Sequence, residues 1–169
     1  IGYYNGAELG LLADDTVPDS TGSVCEELFA VAGALRAQTE LMDIASQTDR
    51  RYQITLEARR PTTEGRLWDL AQQTLLLTGQ RHLTITRSSH SVDVVAPNVS
   101  KLNVLHRLQS DHPGSTWLAI GDRGRWPGND YELLKSSYAL SVDELSVDPE
   151  TCWNLAPRGQ RGVEVTLGY

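Results

Sequence analysis

The sequence predicts a mixed α/β fold in which a basic α/β unit is inserted between two pieces of an acidic one. Two observations predict it. Apolar residues recur with helical spacing in some stretches and alternate with a period of two in others, and strand-like and helix-like stretches follow one another along the chain. The charge is also unevenly spread. The 169 residues carry a net charge of −7, yet residues 50–90 hold Arg50, Arg51, Arg59, Arg60, Arg66, Arg81 and Arg87 against only Glu57, Glu64 and Asp69. That leaves the remainder strongly acidic. A basic module facing an anion produces such asymmetry, and so does a solvated face of arginine-rich strands.

Composition bounds the answer further. At 40% hydrophobic and 22% charged residues the chain is globular, and a domain of this length buries roughly two-thirds of its unfolded surface. The acidic balance argues against nucleic acid as a partner. No apolar run approaches the roughly 18 residues of a membrane span, so no membrane partner is expected. No basic start followed by an apolar stretch marks a secretory leader. With only Cys25 and Cys152, a disulfide scaffold is excluded and a cytoplasmic location is expected. The chain begins at Ile1 and its single methionine is Met42, which raises the expectation of a preceding segment.

Taken in order, residues 1–12 read as a short strand and turn, with Asn5-Gly6 as the turn signal. Residues 14–23 are loop. Val24, Leu28, Val31, Leu35 and Met42 predict one or two helices over residues 23–47, begun by Glu26 and Glu27. Residues 51–59 alternate as a half-buried strand. Leu67, Leu70, Ala71, Thr74 and Leu77 predict a helix over 62–77, closed by Gly79. Strands at 82–86 and 91–95 flank a turn. Helices are expected at 100–109, 129–137 and 159–169, and strands at 116–120 and 138–142. Alternation of strands and helices implies parallel pairing.

The strongest chemical signal is the apolar stretch ending in Gly121-Asp122, followed by a loop that returns Asn129 and Asp130. A carboxylate at the carboxyl edge of a strand sits where open α/β sheets bind ligands. Oxygen ligands converging there suit Mg²⁺, which takes one or two protein carboxylates and keeps waters and phosphate oxygens. The alternative is structural: Asp130 as a helix N-cap and Asp122 as a turn residue. Lys101, at the start of the preceding helix, is a point charge able to neutralise a phosphoryl group, or else a solvated surface lysine.

These residues, in this order, resemble the haloacid dehalogenase superfamily, specifically Mg²⁺-dependent phosphatases with an α/β cap between the second and third motifs, such as sucrose-phosphatase-like and other sugar phosphatases. Residues 94–101, ending in Lys101, resemble the last cap strand running into the third-motif lysine. Gly121-Asp122 through Asn129-Asp130 resembles the fourth motif, and Asn5-Gly6-Ala7 the segment after the second. The resemblance implies a Rossmann-like three-layer core, incomplete at the N-terminus, with an inserted α/β cap. It divides the chain into a core segment and connection (1–47), the cap (48–97) and the C-terminal core (98–169). It implies Mg²⁺ held by Asp122, Asn129 and Asp130, Lys101 as catalytic charge clamp, and Asn5, Lys101 and Asn129 at a small phosphorylated substrate, a sugar phosphate or similar metabolite. In that family an aspartate attacks phosphorus and water releases phosphate.

Two departures accompany the resemblance. The Gly-Asp to Asn-Asp interval is longer here, which brings Arg125 and Trp126 into consideration as substrate contacts. No D-x-D nucleophile follows a first strand, and Asp14-Asp15-Thr16 reads as loop. This chain alone is therefore expected to be inactive. A non-catalytic binding or regulatory module that retains the fold is the alternative, and a sugar-nucleotide transferase fragment is a weaker one. The four histidines lack zinc spacing, no P-loop or serine elbow is present, and Trp68 reads as core. The sequence does not specify an oligomeric state.

Overall fold

The computed structural model describes residues 1–11, 13, 18, 23–59 and 64–169. The Asp14-Asp15-Thr16 stretch, most of the expected 14–23 loop and the expected start of the helix at residue 62 lie outside them. The architecture is mixed α/β, as expected.

A short hairpin comes first, β1 (Gly2–Tyr3) with β2 (Glu8–Leu9), around a 3₁₀ turn at Tyr4–Gly6. Then α1 (Glu26–Ala37) starts with Glu26 and Glu27 in its first turn, where negative charge offsets the helix dipole. Leu28, Val31, Ala32 and Leu35 recur on one face and are all buried. After α2 (Thr39–Ile44) come β3 (Ala45–Arg50), β4 (Gln53–Ala58), α3 (Glu64–Leu77), β5 (Thr84–Arg87) and β6 (Ser91–Val95). These four strands form one sheet in the order β3-β4-β6-β5, antiparallel throughout.

The sheet has two unlike faces because successive side chains alternate across a strand. Ile54, Leu56, Val92 and Val94 join Leu28, Leu35, Leu41, Leu67 and Leu70 in the main core. Each such side chain contributes about 1.5–3 kcal/mol on burial. The opposite face presents Gln53, Thr55, Asp93 and Thr86, with Thr55 and Thr86 both paired to Asp93 in register. The expected 48–97 unit therefore shares its core with α1 and α2.

The second half contains α4 (Leu102–Asp111), β7 (Ala119–Arg123), β8 (Ala139–Glu144) and α5 (Val163–Gly168). β7 and β8 pair in parallel, with a register irregularity between Gly121 and Arg123. Ala119, Leu134 and Ala139 form a small second core between them. Among the described residues, no helix is long and apolar enough to cross a membrane.

Four local expectations are corrected. Parallel pairing holds for β7-β8 but not for residues 45–95, where tight connections make β3-β4 and β5-β6 antiparallel hairpins and β6 then runs antiparallel to β4. Residues 45–47 are strand rather than helix, because Met42 and Ile44 prolong the helical spacing into a polar edge strand. The helix expected at 129–137 is only a 3₁₀ turn at Leu133–Lys135, because Ser136 takes extended backbone (ψ 155°) and ends it within one turn. The last helix begins at Val163, not 159, because Gly162 takes φ 67°, ψ −137°, outside helical space.

Candidate functional site

β7 delivers Gly121 and Asp122 to its carboxyl end, and the loop beyond it brings back Asn129 and Asp130. Asp130 is 5% exposed, and both of its oxygens are engaged. Oδ1 accepts from Lys101 Nζ at 2.5 Å. Oδ2 accepts from the backbone N–H of Asp122 at 2.9 Å and of Arg123 at 3.3 Å. This approach requires glycine at 121, because a Cβ there would stand 2.7 Å from both Cγ and Oδ2 of Asp130.

The two carboxylates titrate in opposite directions. Burial would raise Asp130, but the Lys101 ammonium and the hydrogen bonds to Lys101 and to Asp122 hold it below the ordinary aspartate value. Asp122 is pushed up by partial burial and by the neighbouring Asp130 carboxylate. An electrostatically divided pair of this kind marks a site where charge is managed rather than merely solvated.

A cleft of about 130 Å³ opens beside this pair, and its lining includes Asn5, Thr84, Thr86, Lys101, Trp126 and Asn129. The structure thus brings Asn5, Lys101 and Asn129 together from three distant parts of the chain. Asp122 and Asp130 are not part of the lining; Asp130 is joined to it through Lys101. Asn5 has a second engagement. Its amide donates to Gln53 Oε1 at 3.1 Å and Asp93 Oδ2 at 3.2 Å, tying the N-terminal turn to the polar face of the four-stranded sheet.

The long loop between Asp122 and Asn129 closes another side of the cleft. It docks on β5, the edge strand of the sheet. Arg87 N–H donates to Pro127 O at 2.9 Å, and Asn129 N–H donates to Arg87 O at 3.1 Å. Trp126 meets Trp68 of α3 edge-on, with ring centroids 5.6 Å apart. Trp68, read as core from the sequence, does pack against the main core as a partly buried side chain, and its ring also meets Trp126. Arg125 is exposed and absent from the lining. Thr84 and Thr86 were not singled out by sequence reasoning; the signal available was that alternate β5 residues carry hydroxyls.

The donor set suits a hard divalent ion. Asp122 offers an exposed carboxylate, and Asn129 Oδ1 is buried without a hydrogen-bond partner, an arrangement that leaves a carbonyl oxygen to be satisfied by something else. Asp130 accepts three hydrogen bonds, which orient Lys101 and the end of β7. Among the described residues, no group of three or more His, Cys, Asp or Glu is placed to hold a metal. Mg²⁺ does not require one, since one or two carboxylates suffice when water and phosphate complete the shell.

No protein-family model matches the sequence, and no curated protein matches it. Among solved structures the chain is similar to Aspergillus fumigatus trehalose-6-phosphate phosphatase in two crystal forms. One match has 17% identity and a TM-score of 0.45, covering 79% of this chain and 55% of that one. The other has 18% identity and a TM-score of 0.44, covering 86% and 57%. It is also similar to an N-terminally truncated Plasmodium falciparum IMP-nucleotidase, at 15% identity and a TM-score of 0.49, covering 78% of this chain and 40% of that one. The chain spans little more than half the length of these structures, or less.

Proposed function

We propose that the chain is the cap and C-terminal core of a Mg²⁺-dependent phosphohydrolase of the haloacid dehalogenase type, acting on a sugar phosphate or a similar small metabolite. The observation that carries this reading is the contact of Lys101 with Asp130 beside a small cleft, formed by residues 29 positions apart in the chain. Lys101 is held by one carboxylate oxygen and lines the cleft, so its remaining N–H groups are available to a phosphoryl oxygen. Asp130 fixes the direction of that ammonium and, through two backbone N–H groups, the conformation of the Asp122 turn. Fixed charge of this kind stabilises a phosphoryl group without reorganisation. Mg²⁺, held by Asp122 and Asn129, would neutralise and orient phosphate oxygens.

Calorimetric titration of the chain with inorganic phosphate in the presence of Mg²⁺ tests the reading. Lys101→Ala is expected to weaken binding roughly tenfold or more, and Asp122→Ala to remove its Mg²⁺ dependence. Unchanged phosphate affinity in Lys101→Ala overturns it. A non-catalytic binding module is the second reading, favoured by the position of both aspartates outside the cleft lining. Mg²⁺-dependent hydrolysis of p-nitrophenyl phosphate by a longer protein that joins this chain to a D-x-D segment, lost in Asp122→Ala, decides for the enzyme.

A further inference from the structure

Two aromatic side chains line the cleft, Tyr131 and Trp126, and of the two Trp126 is the more exposed. Trp126 is 56% exposed, yet it is firmly placed: edge-on to Trp68 at an interplanar angle of 84°, and followed by Pro127, whose carbonyl is bonded to the edge strand β5. Single exposed apolar residues are ordinary. Trp126 differs because it forms a wall of the same cleft as Lys101 and Asn129. Trp153, 73% exposed, lies outside that cleft.

The rest of the lining narrows what the indole can meet. Thr84 and Thr86 come from β5, and the Thr86 hydroxyl is buried without a hydrogen-bond partner. Among the described lining residues Lys101 is the one cation and Glu132 the one carboxylate, so the cleft offers charge for no more than a single phosphoryl group, at its Lys101 end. A volume of about 130 Å³ is well below the roughly 300–1,000 Å³ of pockets for drug-sized ligands, which suits a small organic part. An aromatic face beside hydroxyl groups matches a ring with an apolar C–H face and a hydroxylated edge.

We infer that Trp126 is the platform for the sugar ring of a monophosphate ester, with the Thr84 and Thr86 hydroxyls at the ring hydroxyls and Trp68 as the positioning residue that braces the platform. This deepens the phosphohydrolase reading and rests on it for the phosphate end. It makes the lengthened loop, rather than the sheet alone, the part that selects ring-bearing over open-chain substrates.

Calorimetry with four probes in Mg²⁺ tests it: inorganic phosphate, glycerol 3-phosphate, glucose 6-phosphate and uridine monophosphate. The native chain is expected to bind glucose 6-phosphate more tightly than glycerol 3-phosphate. Trp126→Ala is expected to reduce that preference roughly tenfold while inorganic phosphate is still bound. Trp126→Phe is expected to retain most of the preference, Trp68→Ala to lose part of it, and Trp153→Ala to lose none. An unchanged preference in Trp126→Ala, with phosphate still bound, overturns the platform and leaves the phosphate site standing. Tighter native binding of uridine monophosphate than of glucose 6-phosphate overturns the sugar-ring assignment. Failure of every probe to bind the native chain overturns the phosphate site and the platform together.

Discussion

Lys101 Nζ lies 2.5 Å from Asp130 Oδ1, and the other oxygen of the same carboxylate accepts from two consecutive backbone N–H groups at the end of β7. One side chain therefore ties the start of α4 to the turn after a strand that is remote in sequence. Asp130 is nearly enclosed, whereas the Lys101 side chain is 29% exposed.

Removing one member of a buried ion pair leaves its partner's charge uncompensated, a larger loss than removing both. Lys101→Met is expected to cost about 2–3 kcal/mol, below the full buried-pair penalty because water reaches the ammonium. The double variant Lys101→Met/Asp130→Asn is expected to be more stable than the two single losses added together. Urea denaturation of the four proteins measures this, and strict additivity would show that the contact carries no coupling.

Gly121→Ala isolates the closeness of the same contact from its charge. The added Cβ meets the Asp130 carboxylate at 2.7 Å, so Asp130 must retreat from its two N–H donors or β7 must shift. Overpacking of this sort costs about 1–3 kcal/mol. The expected signature is a lowered thermal midpoint together with weakened phosphate binding. A variant as stable as the native chain would mean that the turn accommodates the methyl freely.

How much of this was legible in the sequence depends on whether a feature is local. Helix α1 and strand β6 follow from periodicity, because a buried stripe or alternating face repeats within a few residues. β3 was hidden because its residues Ser46, Gln47, Thr48, Asp49 and Arg50 are polar and its partner strand, not its own pattern, makes it a strand. The turn at Leu133–Lys135 was overestimated as a helix because the extended backbone at Ser136, which the apolar spacing does not signal, ends it within one turn. Motif order suggested that Lys101, Asn129 and Asp130 belong to one neighbourhood. It held no information that Asp130 would be sealed by its own hydrogen bonds, or that the loop carrying Trp126 would dock on β5.

Asp93 offers a pH-dependent test away from the candidate metal ligands. Burial raises its carboxyl above the ordinary value of 3.8, although hydrogen bonds from Thr55, Asn5 and Gln53 and the charge of Arg50 act the other way. The folded chain thus holds this proton more tightly than the unfolded chain. Stability from this group is present below the unfolded value and is lost as pH rises from about 3.8 through the raised folded value. Asp93→Asn lacks that loss. Its stability relative to the native chain is expected to improve between pH 4 and pH 7, read from urea midpoints at each pH. A difference that stays constant over this range contradicts the raised carboxyl.

The docking of the long loop on β5 predicts a shared fate for two amides. Arg87 N–H and Asn129 N–H are bonded to the loop and to the strand respectively, and both bonds break if the loop lifts. Hydrogen exchange is expected to show the two amides opening together. Gly128→Ala is the matching perturbation, because a Cβ at this position would stand 2.2 Å from Arg123 O and 2.7 Å from Arg125 O. It is expected to accelerate exchange at both amides roughly tenfold or more, corresponding to about 1.4 kcal/mol or more of lost local stability. The amide of Leu56, whose strand lies inside the sheet between β3 and β6, is expected to keep its native rate. Independent exchange of Arg87 and Asn129 would show that strand and loop are not one cooperative unit.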